Sequence, residues 1–391
     1  MYKIKTLNKI SPLGLEVLPR ADYEVSSEIA NPDGIILRSF NMLEMELPET
    51  LKAVARAGAG VNNIPIDRCT EKGIVVFNTP GANANGVKEL VLCSLFLSSR
   101  KVVRGINWAK TLIGQGDQVP NVVEKGKAQF EGPEIKGKTL GVIGLGAIGV
   151  LVANDAVALG MKVLGYDPFI SVDRAWGLSR AVEKSISLDD LIARSDYISI
   201  HAPLTNETKG MINKEKFAVM KKGVRLLNFA RNGLVNNADL KQAIADGIVA
   251  CYVTDFPDEE LLQMENVIGI PHLGASTPES EENCAVMASR QIKTFFETGN
   301  LLNSVNFPDC ELPFMSKARV VIINKNVPTM MGKMTALFAE KNINIANMLN
   351  RHKGDFAYNI IDIDGEVTDD DLDALRKIEG IIMVRLLKGK K

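Results

Sequence analysis

The sequence predicts an α/β protein: two mostly parallel sheets covered by helices, followed by a small β-α-β-β-α-β unit. Three observations predict it. Short apolar runs alternate with helical stretches from about residue 34 to residue 275, the pattern of successive βα units. Thr139–Asp167 (TLGVIGLGAIGVLVANDAVALGMKVLGYD) reads as strand, tight turn, helix, strand and acid. Residues 318–387 then read as strand, helix, strand, strand, helix, strand behind a proline-containing break.

The central stretch carries the first chemistry. Gly144, Gly146 and Gly149 have the spacing G-x-G-x-x-G between the strand Thr139–Ile143 and the helix Ile148–Leu159. Glycines there let the backbone turn sharply and approach a pyrophosphate. The helix N-terminus then offers unpaired N–H groups and the positive end of its dipole. Asp167 ends the next strand, Met161–Tyr166, where an acid can accept a hydrogen bond from a ribose hydroxyl. Glycines alone could mark an ordinary turn. With the strand, helix and acid in place, the stretch reads as a dinucleotide site. No Lys-Ser/Thr pair follows the glycines, which argues against a nucleotide triphosphatase loop.

Before this stretch lie strands at Gly34–Leu37, Leu51–Ala57 and Gly73–Phe77 and a helix at about 86–104. Their following loops, Arg38-Ser39, Gly58–Asn62 and Asn78–Gly81, should share one rim, because ligands sit beyond the carboxyl ends of parallel strands. Residues 105–138 read as an irregular crossing segment. After Asp167 the expected elements are helix Ser187–Arg194, strand Tyr197–Ile200, helix Lys214–Met220 and strand Val224–Asn228. Helix Ala238–Asp246, strand Val249–Thr254, strand Val267–Ile270 and the long helix Pro278–Thr298 follow. Asn306–Ser316 reads as a linker and hinge. The last unit has strands Ala318–Ile323, Asn344–Asn350, Ala357–Ile363 and Ile381–Leu387, with helices Met330–Lys341 and Asp369–Lys377. Its open sheet face and edge predict pairing with a second copy.

Composition bounds the partners. Of 391 residues, 46% are apolar, enough for two or three domains with large cores. A net charge of -1 excludes strong nucleic-acid binding. No apolar run is long enough to span a membrane, and the first residues lack a signal-peptide core. The five cysteines are scattered without a C-x-x-C, which predicts free thiols in a cytoplasmic protein and no metal site.

His272 follows a strand end, where a ligand rim should be, and imidazole exchanges protons near neutral pH. Glu259 follows another strand end, and a carboxylate beside an imidazole raises its pKa and fixes its tautomer. Arg231 follows a third, and its planar fork matches a carboxylate bidentately. Together they read as base, orienter and carboxylate clamp of a dehydrogenase for 2-hydroxy acids.

The stretches GIILRS, GAGVNNI, VFNTPGANANGVKEL, TLGVIGLGAIG, YDP, HAPLTNETKGMI, LLNFARNGLV, DFPDE and PHLGAST resemble the D-isomer-specific 2-hydroxyacid dehydrogenases. The resemblance implies a Rossmann-type NAD domain (99–275) interleaved with a flavodoxin-like substrate domain (1–98, completed by 276–305). A linker (306–317) and a regulatory domain (318–391) follow. It implies catalysis by Arg231, Glu259 and His272. Around NAD it places Thr79, Gly144, Gly146, Ala147, Ile148, Gly149, Asp167, Ala202 and Pro203, with Phe229, Ala230, Arg231, Asp255, His272, Gly274 and Ala275. At the substrate it places Arg38, Ser39, Gly58, Ala59, Gly60, Val61 and Asn62. The implied reaction is NAD-dependent oxidation of 3-phospho-D-glycerate to 3-phosphohydroxypyruvate, opening serine biosynthesis. Reduction of glyoxylate, hydroxypyruvate or 2-oxoglutarate is a second reading, and a non-catalytic NAD-sensing interaction protein a third.

This chain departs from the family's pattern at Phe40, where a second basic residue is usual. It also departs in the segment from Asp255 to Glu259, one residue short, which makes Glu260 a fallback for the acid. Its opening βα unit, Met1–Leu18, is abbreviated. The C-terminal unit resembles an ACT domain, a ferredoxin-like amino-acid-sensing and dimerising module. That resemblance implies a homodimer or homotetramer and L-serine as an effector at Asn324, Asn326 and Asn344. The family has His where Asn324 stands.

Overall fold

The structure is a computed structural model, and it describes residues 1–389. In chain order, β1 (Tyr2–Leu7), α1 (Pro12–Leu15), β2 (Tyr23–Ser26), β3 (Gly34–Leu37), β4 (Ala53–Arg56), α2 (Ile66–Glu71) and β5 (Val75–Phe77) come first. Helices α3 (Ala84–Arg100), α4 (Val102–Lys110) and α5 (Val119–Gly126) follow. Then come β6 (Thr139–Ile143), α6 (Ala147–Ala158), β7 (Lys162–Tyr166), α7 (Val172–Trp176), β8 (Val182–Lys184), α8 (Leu188–Arg194) and β9 (Tyr197–Ile200). Next are α9 (Lys214–Val219), β10 (Val224–Asn228), α10 (Asn237–Ala245), β11 (Val249–Thr254), α11 (Glu259–Leu262), β12 (Val267–Gly269) and α12 (Pro278–Thr298). The chain closes with β13 (Ala318–Lys325), α13 (Met330–Glu340), β14 (Ile345–Lys353), β15 (Phe356–Ile363), α14 (Asp369–Arg376) and β16 (Ile381–Lys388).

The chain divides into two compact bodies: Met1–Ala82 with everything from Glu281 onward, and Asn83–Ser280. The first body holds a five-stranded parallel sheet of order β2-β1-β3-β4-β5, the flavodoxin-like order. Strands β3 and β5 are apolar without alternation (GIIL, VVF) and buried at every residue, as strands covered on both faces are. The second body holds a seven-stranded parallel sheet of order β12-β11-β10-β9-β6-β7-β8. Its order reverses between β6 and β9, so a crevice opens beyond their carboxyl ends.

The domain boundary expected at residue 98 lies instead at 82/83, because α3 packs its Val87, Val91 and Leu95 into the core of the second body. The single helix expected over 86–104 breaks at Lys101, whose φ of 47 separates α3 from α4. The segment expected to be irregular contains α4 and α5, and neither helix buries a residue. Val102, Ile106 and Ile113 stand exposed there. The abbreviated first βα unit is present: α1 has four residues, and Gly14 abuts Ala285 so closely that a Cβ would sit 2.5 Å from the alanine Cβ.

The C-terminal strands form an antiparallel sheet of order β14-β15-β13-β16, the ferredoxin-like arrangement. One face, Val320, Ile322, Ile361 and Ile363, packs on α13 and α14. The other face was expected to stay open for a second copy, and it does not. Val321, Ile323, Tyr358, Ile360 and Leu387 share one core cluster with Ile4, Phe77, Phe295 and Phe296. The hinge is corrected too. Asn306 is buried, accepts the Val76 N–H at 2.9 Å and donates to the Ile74 carbonyl at 2.9 Å, while Phe307 and Cys310 are buried. An amide satisfied on both ends pins that segment.

Candidate functional site

In the second body the glycine turn is built as its sequence demands. Gly144 has φ +90, and a Cβ there would meet the His201 carbonyl at 2.7 Å. A Cβ on Gly149 would meet the Gly144 carbonyl at 2.0 Å. Gly146 caps α6, and a Cβ there would meet nothing, which leaves an open cradle over the helix N-terminus. Asp167 accepts the Leu145 N–H and the Phe169 N–H, each at 2.8 Å. The acid at the end of β7 is thereby tied to the glycine turn. This set fits a dinucleotide: an open helix end for phosphates and a fixed carboxylate about 20 residues on. Ala147 and Ile148 open the helix, and Ala202 and Pro203 follow β9 beside the same turn.

At the next strand ends the remaining residues gather. Asn228, at the end of β10, folds the Phe229–Arg231 loop: its amide donates to the Arg231 carbonyl at 2.9 Å and accepts the Ala230 N–H at 3.2 Å. Arg231 projects into solvent and donates to the Ala230 carbonyl at 2.7 Å. Asp255, after β11, is buried, yet its Oδ1 has no hydrogen-bond partner. Burial pushes its carboxyl up to about 6, against the pull of His272 and Arg231. His272 Nε2 lies 4.0 Å from Asp255 Oδ2, and its ring packs on Phe256 with centroids 4.6 Å apart. Gly274 lets the chain pass: a Cβ there would reach Val87 at 3.0 Å and Asp255 at 3.6 Å.

Glu259 does not pair with His272. Asp258 caps α11 by accepting the Leu261 N–H at 2.9 Å, so Glu259 and Glu260 occupy its first turn and are exposed. Carboxylates favour that helix end. The carboxylate that faces His272 is Asp255, which the sequence had assigned to the cofactor. His201 was not singled out. Its Nε2 meets Ser199 Oγ at 2.8 Å, and burial pushes its pKa down to about 4, so it is neutral at pH 7.

In the first body the three expected loops do share the carboxyl rim of one sheet. Arg38 pairs with Glu281 at 2.6 Å. Asn8 accepts the Ser39 and Phe40 N–H groups at 3.1 and 2.6 Å. Asn78 donates to the Ala59 carbonyl at 2.6 Å, and the Thr79 N–H donates to the Gly58 carbonyl at 3.1 Å. Sequence reasoning missed Arg56, which donates to the carbonyls of Arg38 and Gly60 and so shapes the Gly58–Asn62 loop. Its sign was a charged last residue on a buried strand.

The three asparagines of the C-terminal unit do not converge. The register sets Asn324 opposite Ala357, whereas Asn344 donates to Asp364 beside the Ala318–Ile363 row at the far end of the sheet. Asn324 is buried, accepts from Asn359 at 2.6 Å and donates to the Lys325 carbonyl. Asn326 is exposed.

The buried carboxyl gives a testable consequence. Its folded pKa of about 6 lies above the ordinary 3.8, so the native state binds the proton more tightly. Ionising it costs stability progressively from about pH 4 to above pH 6. Asp255→Asn should therefore be more stable than wild type above pH 6, with the difference vanishing below pH 4. Thermal melts across that range check it, and a constant difference at all pH values would contradict it.

Residues 98–274 match the family described as D-isomer specific 2-hydroxyacid dehydrogenase, NAD binding domain. The chain is 36% identical over 328 residues to D-3-phosphoglycerate dehydrogenase of Archaeoglobus fulgidus, covering 78% of this chain and 59% of that protein. It is 33% identical over 335 residues to the enzyme of that name from Methanocaldococcus jannaschii, covering 83% and 61%. The chain thus spans about six-tenths of the length of these curated relatives. Among solved structures it is similar to NAD+-bound 3-phosphoglycerate dehydrogenase of Entamoeba histolytica. The TM-score is 0.60 at 28% identity, covering 78% of this chain and 98% of that one. With an open glycine cradle and its acid in place, residues 98–274 carry the NAD-binding domain that this family's model describes.

Proposed function

We propose that the protein catalyses NAD-dependent oxidation of 3-phospho-D-glycerate to 3-phosphohydroxypyruvate, the entry to serine biosynthesis, in the cytoplasm. The observation that carries the reading is the His272–Asp255 pair near Arg231, at strand ends of an NAD-binding domain. The names of relatives at 33–36% identity support the substrate. NAD, held by Gly144–Gly149 and Asp167, supplies the acceptor for the hydride leaving C2. Thr79, Ala202, Phe229, Ala230, Asp255 and Ala275 are the further residues proposed to line it. Among the described residues, no group of His, Cys, Asp or Glu could hold a metal ion.

The imidazole of His272 takes the C2 hydroxyl proton. Asp255 stabilises the imidazolium that results, since the pair gains a full charge–charge attraction only once the ring is protonated. Glu259 is proposed as a second carboxylate for the same task, and Glu259→Gln against Asp255→Asn shows which one sets the pH limb of kcat/KM. Arg231 holds the substrate carboxylate in a bidentate grip. Arg38, Ser39 and the Gly58–Asn62 loop take the substrate's other end. NADH formation with 3-phosphoglycerate, beside the reverse assay with glyoxylate, hydroxypyruvate and 2-oxoglutarate, tests the substrate. No turnover with any of them favours an NAD-sensing role.

NAD should be preferred over NADP by about tenfold or more in kcat/KM, because Asp167 repels a 2′-phosphate. Equal kcat/KM with NADP would overturn this.

The assembly is proposed to be a homodimer or homotetramer, and the exposed apolar residues Val102, Ile106 and Ile113 support it. Ile106→Glu with Ile113→Glu should lower the mass in solution, and an unchanged mass removes that surface. The effector reading narrows to L-serine at exposed Asn326, near the N-terminus of α13, where Thr329 supplies no side-chain cap. Millimolar L-serine that changes neither heat nor rate removes it.

A further inference from the structure

The substrate rim of the first body carries two guanidiniums, and neither is free. Arg56 donates Nε to the Arg38 carbonyl at 3.0 Å and Nη1 to the Gly60 carbonyl. Burial and the neighbouring Arg38 hold its pKa below the usual arginine value. Arg38 Nη1 lies 2.6 Å from Glu281 Oε1, an ion pair that leaves both side chains partly exposed, at 39% and 46%. Phe40, two residues on, adds no cation.

This rim has the marks of a ligand site apart from any relative. It lies at the carboxyl ends of β1 and β3, where the order of the sheet reverses. A buried polar atom there, Asn63 Oδ1, has no hydrogen-bond partner. Asn63 spends its other end on the carbonyls of Arg38 and Phe40, at 3.2 and 2.7 Å.

We propose that Glu281 is a specificity-determining residue: an internal anion that occupies the Arg38 guanidinium and weakens binding of substrates carrying a second anionic group. The inference rests on the proposed role of this rim in holding the substrate. A carboxylate on a guanidinium at this distance is a charge-assisted hydrogen bond. A phosphate arriving at the same guanidinium must displace that carboxylate or bind beside it against like charge. Both routes cost affinity. A 2-hydroxy acid with one carboxylate and a neutral tail meets neither obstacle. Glu281 thus sets how strongly a phosphate adds to binding, and it acts through Arg38 without touching the reacting carbon.

The test compares full-length wild type with Glu281→Gln at fixed ionic strength. Titration calorimetry measures inorganic phosphate and 3-phosphoglycerate binding, and steady-state assays compare 3-phosphoglycerate with D-glycerate. The expected result is roughly fivefold tighter binding of phosphate and 3-phosphoglycerate by the variant, the scale of a partly exposed ion pair. KM for 3-phosphoglycerate falls with kcat within about twofold, and constants for D-glycerate barely move. Equal affinities in the two proteins, undetectable binding by both included, overturn the inference. So does an equal shift for both substrates, which would mark a structural effect. If neither protein turns over 3-phosphoglycerate while phosphate binds the variant more tightly, the proposed reaction fails and this inference stands. Turnover with unchanged phosphate affinity has the opposite meaning. Should Glu281→Gln fold poorly, judged by circular dichroism and NAD affinity, Arg38→Gln provides the second reading. It should bind phosphate no better than wild type, and tighter binding would also overturn the inference.

Discussion

Replacing His272 by alanine should lower kcat by roughly two to four orders of magnitude while NAD affinity changes less than about threefold. No other imidazole can substitute. His201 is held neutral by burial and engaged with Ser199, and His352 is exposed on the C-terminal sheet. The lost group is the proton acceptor that Asp255 Oδ2 faces from 4.0 Å. The dinucleotide contacts proposed on the glycine turn and Asp167 are untouched by the change, so binding should survive. Steady-state assays beside fluorescence titration of NADH separate the two quantities. A variant within about tenfold of wild-type kcat would remove His272 from the chemistry. Arg231→Ala should lose turnover comparably, with a larger rise in KM, because its fork binds the ground-state carboxylate as well as the transition state.

Asp362→Ala should destabilise the first body by about 3–5 kcal/mol. Arg319 is wholly buried on β13 and meets Asp362 twice, at 2.6 and 2.9 Å. Its remaining donors reach the carbonyls of Thr298, Leu312 and Pro313 and the Asn300 side chain, at 2.8 to 3.1 Å. The guanidinium also lies over Phe314, 4.5 Å from the ring centroid. Removing the carboxylate strands a buried cation among carbonyls at the end of α12. Replacing both partners with apolar residues, Arg319→Met with Asp362→Leu, should recover most of the loss. Urea denaturation of the three proteins checks it. A loss below about 1 kcal/mol for the single variant would mean that the pair is not desolvated.

What could be read from the sequence had a local signature. The glycine turn was legible because its geometry excludes a side chain at Gly144 and Gly149. The parallel character of the two larger sheets followed from βα alternation, and the ferredoxin-like unit from its β-α-β-β-α-β sequence of elements. Errors arose where the deciding contact was distant or the local signal was absent. Lys101 breaks a helix with φ 47, and lysine carries no sign of that conformation. Pro308 and Pro313 suggested a linker, but the side chain of Asn306 fastens it to residues more than 200 positions earlier. The second face of the C-terminal sheet looked open because its cover, Ile4 and Phe77, lies some 240–380 residues earlier in the chain. The carboxylate 4.0 Å from His272 is Asp255, and no local signal shows that contact, because the Asp258 cap that sets Glu259 on the first turn of α11 forms only in the folded chain.

The shared cluster of Ile4 and Leu387 also sets a timetable for synthesis. Residues 83–280 contain every strand of their sheet and can fold as soon as they leave the ribosome. Strand β1 cannot complete its core until β16 has been translated. At ordinary elongation rates that is a wait of roughly twenty seconds to more than a minute. During it, apolar strands β1, β3 and β4 lack the cover that α12 and the last sheet supply. Within the first body, β1 is therefore translated before β16 yet is among the last strands to be buried.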